Sequence, residues 1–177
     1  MKKLLIVEDH FPRRENEQES IFDTIFKGEK TGEPLVNELG LATNTEIVLV
    51  DNYEDAVERL DREEFDLVIT DINFPSREGD SVTCSQGWLD FCKILVNFFF
   101  DDDLIRMIEH PQIEKQFGLC IAAKLAIEKK NFIVFTDDKE HAYPTYDLLV
   151  KIKLSEHILI GKKEKIEDWI KLIKKIQ

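Results

Sequence analysis

Five short apolar runs, rich in β-branched residues, constrain this chain more than any other feature: LLIV at 4–7, IVLV at 47–50, LVIT at 67–70, FIVFT at 132–136 and HILIG at 157–161. A strand with one wet face alternates apolar and polar residues. These runs do not alternate, which implies burial on both faces, as in a parallel sheet covered by helices. Helical patterns lie between them. YEDAVERLDREEF, 53–65, places Ala56, Val57, Leu60 and Phe65 on one side, and GLCIAAKLAIEKK, 118–130, leads straight into the fourth run. KEKIEDWIKLIKKI, 163–176, carries a stripe of Ile166, Trp169, Ile170, Ile173 and Ile176 at helical spacing. Five strands alternating with helices predict a doubly wound α/β domain, whose right-handed crossovers bring binding groups to the carboxyl ends of the strands.

The bulk composition narrows the partners. The chain has 177 residues, 43% hydrophobic, a size that suits one domain over 1–177 with a full core. Its 36 acidic and 24 basic residues give a net charge of −12, so its long-range field repels nucleic-acid phosphates and anionic lipid. Nucleic acid and membrane are therefore not expected partners. MKKLLIVEDH has too short an apolar run for a signal peptide, and no segment has membrane-spanning length. Three cysteines, Cys84, Cys92 and Cys120, form no CxxC pair, as expected of reduced thiols in a cytoplasmic protein. His10, His110, His141 and His157 are scattered without ligand spacing.

Two stretches exceed what a connection needs. Residues 27–45, KGEKTGEPLVNELGLATNT, contain glycines and Pro34 that indicate an extended loop or an extra turn. Residues 76–117 read as an inserted, mostly helical segment with helices near 88–100 and 102–109. Asp101 to Asp103 suit the start of the second. Phe98, Phe99 and Phe100 either close a small core of the insertion or form an exposed patch for a partner or a second copy. The insertion leaves the sheet at the end of the third strand, beside its polar residues.

Those polar residues carry the chemistry. Directly after the runs come Glu8 and Asp9, Asp51, Asp71, Asp137 and Asp138 following Thr136, and Lys162 with Lys163. Carboxylates on adjacent strand ends repel one another unless a cation lies between them. Mg²⁺ suits a few carboxylates, because it keeps several waters and completes its shell with phosphate oxygens. An aspartate beside such a cation can attack phosphorus to give an acyl phosphate, with a hydroxyl and an ammonium holding the remaining oxygens.

In these residues the chain resembles the receiver domains of two-component response regulators. The resemblance implies a flavodoxin-like five-stranded parallel sheet in the order 2-1-3-4-5, with the helical insertion after strand 3. Glu8 and Asp9 look like the metal-binding pair, Asp9 the direct ligand and Glu8 acting largely through water. Asp71 matches the phosphoacceptor, Asn73 the position whose carbonyl completes the metal shell, and Pro75 the proline of a D-x-x-x-P turn. Thr136 matches the hydroxyl that binds the phosphoryl group, Lys162 the lysine after the fifth strand, and Gly118 a loop glycine. The resemblance further implies Mg²⁺ as cofactor and a histidine kinase or histidine phosphotransfer protein as donor. The output would be contacts with a downstream protein, with self-association as a homodimer left open.

Three positions depart from the family's pattern. The residue after the hydroxyl is normally small, and here it is Asp137. Lys163 replaces the usual proline after the lysine. Leu159 stands where an aromatic normally moves inward with the hydroxyl. Two rivals follow: a receiver-like interaction domain that works without phosphorylation, and a phosphohydrolase with an aspartate nucleophile. The second is disfavoured because the haloacid dehalogenase pattern wants an acid at Asn73.

Overall fold

In a computed structural model the described residues are 3–8, 46–74, 117–137, 145–151, 154–161, 167–168 and 171–172. The five apolar runs are its strands: β1 (Lys3–Val7), β2 (Glu46–Val50), β3 (Leu67–Thr70), β4 (Phe132–Thr136) and β5 (Ile158–Ile160). All neighbouring pairs are parallel, and the order is β2-β1-β3-β4-β5. This is the doubly wound flavodoxin-like sheet expected from the sequence.

Burial on both faces is the physical reason the runs do not alternate. Leu5, Val7, Val68 and Val134 join one core cluster with α1 (Tyr53–Arg62) and α2 (Phe117–Ile127). Leu4, Ile6, Ile69 and Phe135, the alternate positions, are buried as well. Each such aliphatic side chain taken out of water contributes about 1.5–3 kcal/mol before entropy is subtracted. In the edge strands β2 and β5 the expected burial on both faces is incomplete: Leu49 and Ile160 are exposed, and most of the other residues are only partly buried.

Local rules explain the helix limits. Asn52 caps α1: its Oδ1 accepts the Asp55 N–H at 2.9 Å, while Glu54 and Asp55 complement the positive end of the helix dipole. The sequence pattern extends this helix to Phe65, but the structure ends it at Arg62. Glu63 is extended (φ −133°, ψ 146°), its carboxylate paired with Lys3 and Arg59, and Phe65 enters the core from the loop. Residues from Phe117 through Ala123, with Leu125, are buried in α2, so the first two turns of this helix are apolar on every side. The helix begins one residue earlier than the sequence pattern placed it, which moves Phe117 out of the predicted insertion 76–117. It stops in a Schellman turn, with Lys130 N–H donating to Leu125 O at 2.9 Å and Lys129 in the left-handed region at φ 55°.

A further helix, α3 (Thr145–Lys151), precedes a 3₁₀ turn at Ser155–His157. That turn takes His157 out of the predicted fifth strand. Its ring stacks on Phe132 with centroids 4.2 Å apart, and its Nδ1 lies 3.0 Å from Phe132 O. Residues 167–168 and 171–172 are helical within the predicted 163–176 helix, and Leu172 is buried. Its stripe of Ile166, Trp169, Ile170, Ile173 and Ile176 lies outside the described residues, as do 9–45 and 75–116. Among the described residues no helix is long and apolar enough to cross a membrane.

At the amino rim, opposite the carboxyl ends, the Lys3 Nζ lies 2.8 Å from both Glu46 and Glu63, tying β1 to β2 and to the end of α1. Lys124 likewise pairs with Asp61 and Glu128 at 2.8 Å, linking α2 to α1.

Candidate functional site

Register places the polar residues on one rim. Val7 pairs with Val50 on one side and Thr70 on the other, so Asp51, Glu8 and Asp71 follow at the same level on β2, β1 and β3. Two hydrogen bonds carry the ladder past the strand ends: Glu8 N–H to Val50 O at 3.0 Å and Asp71 N–H to Val7 O at 2.9 Å. Neighbouring strands lie about 4.8 Å apart, so the Glu8 and Asp71 backbones are one strand spacing from each other. Thr70 pairs with Val134, which puts Phe135 level with Asp71 and Thr136 one residue beyond on the adjacent β4.

Burial separates the members of this group. Glu8 is 3% exposed, Asp71 8% and Thr136 2%, whereas charged and hydroxylated strand-end residues with no specific task usually face water. Asp51 is exposed, and its Oδ1 accepts from the Asn52 side chain at 2.8 Å, so it serves the start of α1. Asn73 and Asp137 are exposed. Beside Glu8, a cleft of about 640 Å³ runs down the β2 side, lined by Asp51, Asp55, Glu58, Arg59 and Arg62 among others. Glu8 is thus buried yet borders solvent-accessible space.

The main chain at Asp71 is fixed from several directions. Its N–H is used by β1, and its carbonyl accepts the Thr70 hydroxyl at 2.8 Å. Gly118 lies directly against it: a Cβ there would stand 1.9 Å from Asp71 O and 2.7 Å from Ile72 Cα. A glycine is required because backbone occupies the space a side chain would need. Gly118 N–H also donates to Ile72 O at 3.0 Å. The sequence marked Gly118 only by resemblance; its contact with Asp71 joins residues 47 positions apart and has no local signature.

Of the sequence-predicted site residues, the structure therefore brings Glu8, Asp71 and Thr136 to one rim on three adjacent strands, with Asn73 two residues past Asp71. Asp9, Pro75, Lys162 and Lys163 lie outside the described residues. Among the described residues no group of three or more His, Cys, Asp and Glu side chains is arranged to hold a metal. The described donors, two carboxylates on adjacent strands, are of the kind a hard cation takes. Leu159 is register partner to Phe135, and the one aromatic at this level on the described part of β4 and β5 is Phe135 itself, fully buried.

No protein-family model matches the sequence, and no curated protein matches it. Among solved structures, the chain is similar to the signal receiver domain of an HD domain-containing protein from Pseudomonas fluorescens Pf-5. The identity is 14%, the TM-score 0.42, and the likeness covers 99% of this chain and 85% of that one. It is also similar to a candidate response regulator from Chloroflexus aurantiacus J-10-fl, at 12% identity and a TM-score of 0.41, over 99% of this chain and 96% of that one.

Proposed function

We propose that this chain is a receiver module of signal transduction, phosphorylated on Asp71. The observation that carries the reading is the convergence of two buried acids and a buried hydroxyl, Glu8, Asp71 and Thr136, on adjacent strand ends of a 2-1-3-4-5 sheet. An ordinary strand end has no reason to bury two carboxylates one strand apart, because each loses hydration and repels the other.

In this reading an Asp71 carboxylate oxygen attacks phosphorus of a donor, a histidine kinase, a histidine phosphotransfer protein or a small phosphodonor. A P–O bond forms as the bond to the leaving group breaks. Glu8, Asp9, Asp71 and the Asn73 carbonyl would hold Mg²⁺, which when bound neutralises charge on the phosphoryl oxygens. Thr136 donates its hydroxyl to one phosphoryl oxygen and Lys162 its ammonium to another. Burial strengthens these contacts, since a water-poor rim screens them less. The product state then alters the surface offered to a downstream protein.

The test is intact mass after incubation with acetyl phosphate and Mg²⁺. One phosphoryl group is expected on the wild type and none on Asp71→Asn. An unlabelled wild type, or equal labelling of the variant, overturns the reading. A second reading, a receiver-like interaction domain that needs no phosphorylation, is favoured by the 8% exposure of Asp71. It predicts unlabelled wild type that still binds its partner as tightly as Asp71→Asn does.

A further inference from the structure

The close approach of Gly118 has a mechanical implication beyond holding a strand end in place. The first turn of α2 rests on the peptide that follows Asp71, with no side chain between them: Gly118 contacts Asp71 O and Ile72 Cα, and its N–H is bonded to Ile72 O. Three rings flank this junction. Phe117, the first residue of α2, lies 5.1 Å from Tyr53 and 6.5 Å from Phe74 between ring centroids. Tyr53 opens α1, and Phe74 is three residues past Asp71. Phe74 and Phe117 are both buried. Behind this junction α2 is buried on every side as far as Ala123, so rotation of surface side chains cannot absorb a displacement at its start. Elements packed this densely shift as bodies.

We propose that Gly118 is a positioning residue for Asp71, and that α2 is the element that reads the state of this acid. A change in the main chain at Asp71 passes through the Gly118 contact to α2, while the Tyr53, Phe74 and Phe117 rings keep the junction in register. The inference deepens the proposed function and rests on Asp71 being the modified residue. The coupling itself is reciprocal, so it is also measurable from the α2 side.

The experiment uses the full chain labelled with ¹⁵N, its amide resonances followed with Mg²⁺ and beryllofluoride and its mass followed with acetyl phosphate. Resonances of Gly118, Leu119 and Cys120 are expected to move together with those of Asp71 and Ile72. Movement at Asp71 and Ile72 with α2 unchanged overturns the coupling. A protein that shows neither resonance changes nor a mass gain counts against the proposed function instead, and the coupling is then decided by Gly118→Ala alone. In that variant the Asp71 and Ile72 resonances are expected to shift. Where the wild type is labelled, the variant should gain mass on the order of 100-fold more slowly per folded molecule, the scale of effect a displacement near 1 Å produces. A folded Gly118→Ala with unchanged Asp71 and Ile72 resonances overturns the proposal. Should that variant not fold, Phe117→Leu keeps the glycine and removes the ring pairs. It is expected to shift both Gly118 and Asp71, and an unmoved Asp71 overturns the coupling.

Discussion

Replacing Gly118 by alanine sets two opposing effects against each other, and their sizes can be worked from the structure. Alanine favours a helix over glycine by about 1 kcal/mol, which alone would stabilise α2. Against this, the new Cβ would begin 1.9 Å from Asp71 O, while unstrained heavy-atom contacts lie near 3.5 Å, so the two must part by roughly 1.5 Å. The obstacle is main chain on both sides, and no side chain can swing away. Overpacking of this kind costs about 1–3 kcal/mol, and the upper part of that range applies here. The same displacement breaks the 3.0 Å bond from Gly118 N–H to Ile72 O, at roughly 1 kcal/mol. The balance is a loss of about 2–3 kcal/mol, which for a chain of this length lowers Tm by roughly 5–10 °C. Urea and thermal unfolding followed by circular dichroism measure it. A Tm equal to or above that of the wild type would show that helix preference dominates, and that α2 does not rest on the Asp71 carbonyl.

Other outcomes test separate parts of the molecule. Lys129→Gly is expected to raise stability by about 0.5–1 kcal/mol in a urea melt, because Lys129 holds a left-handed φ of 55° at an exposed helix end where glycine is unstrained. At the amino rim, hydrogen bonds first from Lys3 and then from Arg59 hold the Glu63 carboxyl below its ordinary value of 4.5. A carboxyl depressed on folding contributes stability above its unfolded pKa and loses it as pH falls through the folded one. Lys3→Met should therefore flatten the fall of Tm on acidification below about pH 4.5, and an acid limb parallel to that of the wild type refutes this role for the pair. Asp71→Asn, finally, should abolish mass gain from acetyl phosphate while leaving the fold intact, since the main-chain bonds of residue 71 are kept.

Much of the fold could be read because one physical demand acts along the whole chain. A parallel strand covered on both faces must be apolar along its length, and LLIV, LVI and FIVF are, with Thr70 and Thr136 closing the last two. The same logic placed Glu8, Asp71 and Thr136, since a polar residue that ends such a run stands at the rim where crossovers converge. Element ends were less legible. The amphipathic pattern continues to Phe65, yet α1 stops at Arg62: Glu63 is extended, and Phe65 reaches the core from the loop that follows. The fifth apolar run begins at His157, and its stacking on Phe132, 25 residues away, holds it in a turn instead.

The class of sheet, its five members and the row of acids and hydroxyl at one end are thus written in local residue patterns, all consequences of which residues tolerate burial. Which of those groups are neighbours and which are shielded depends on packing between distant segments. Asp51 and Asp71 look alike in sequence, each an acid after an apolar run, but one is exposed and held by an Asn52 cap while the other is buried under Gly118. That difference arises from contacts between segments far apart in the chain, and no local pattern encodes the distance between them.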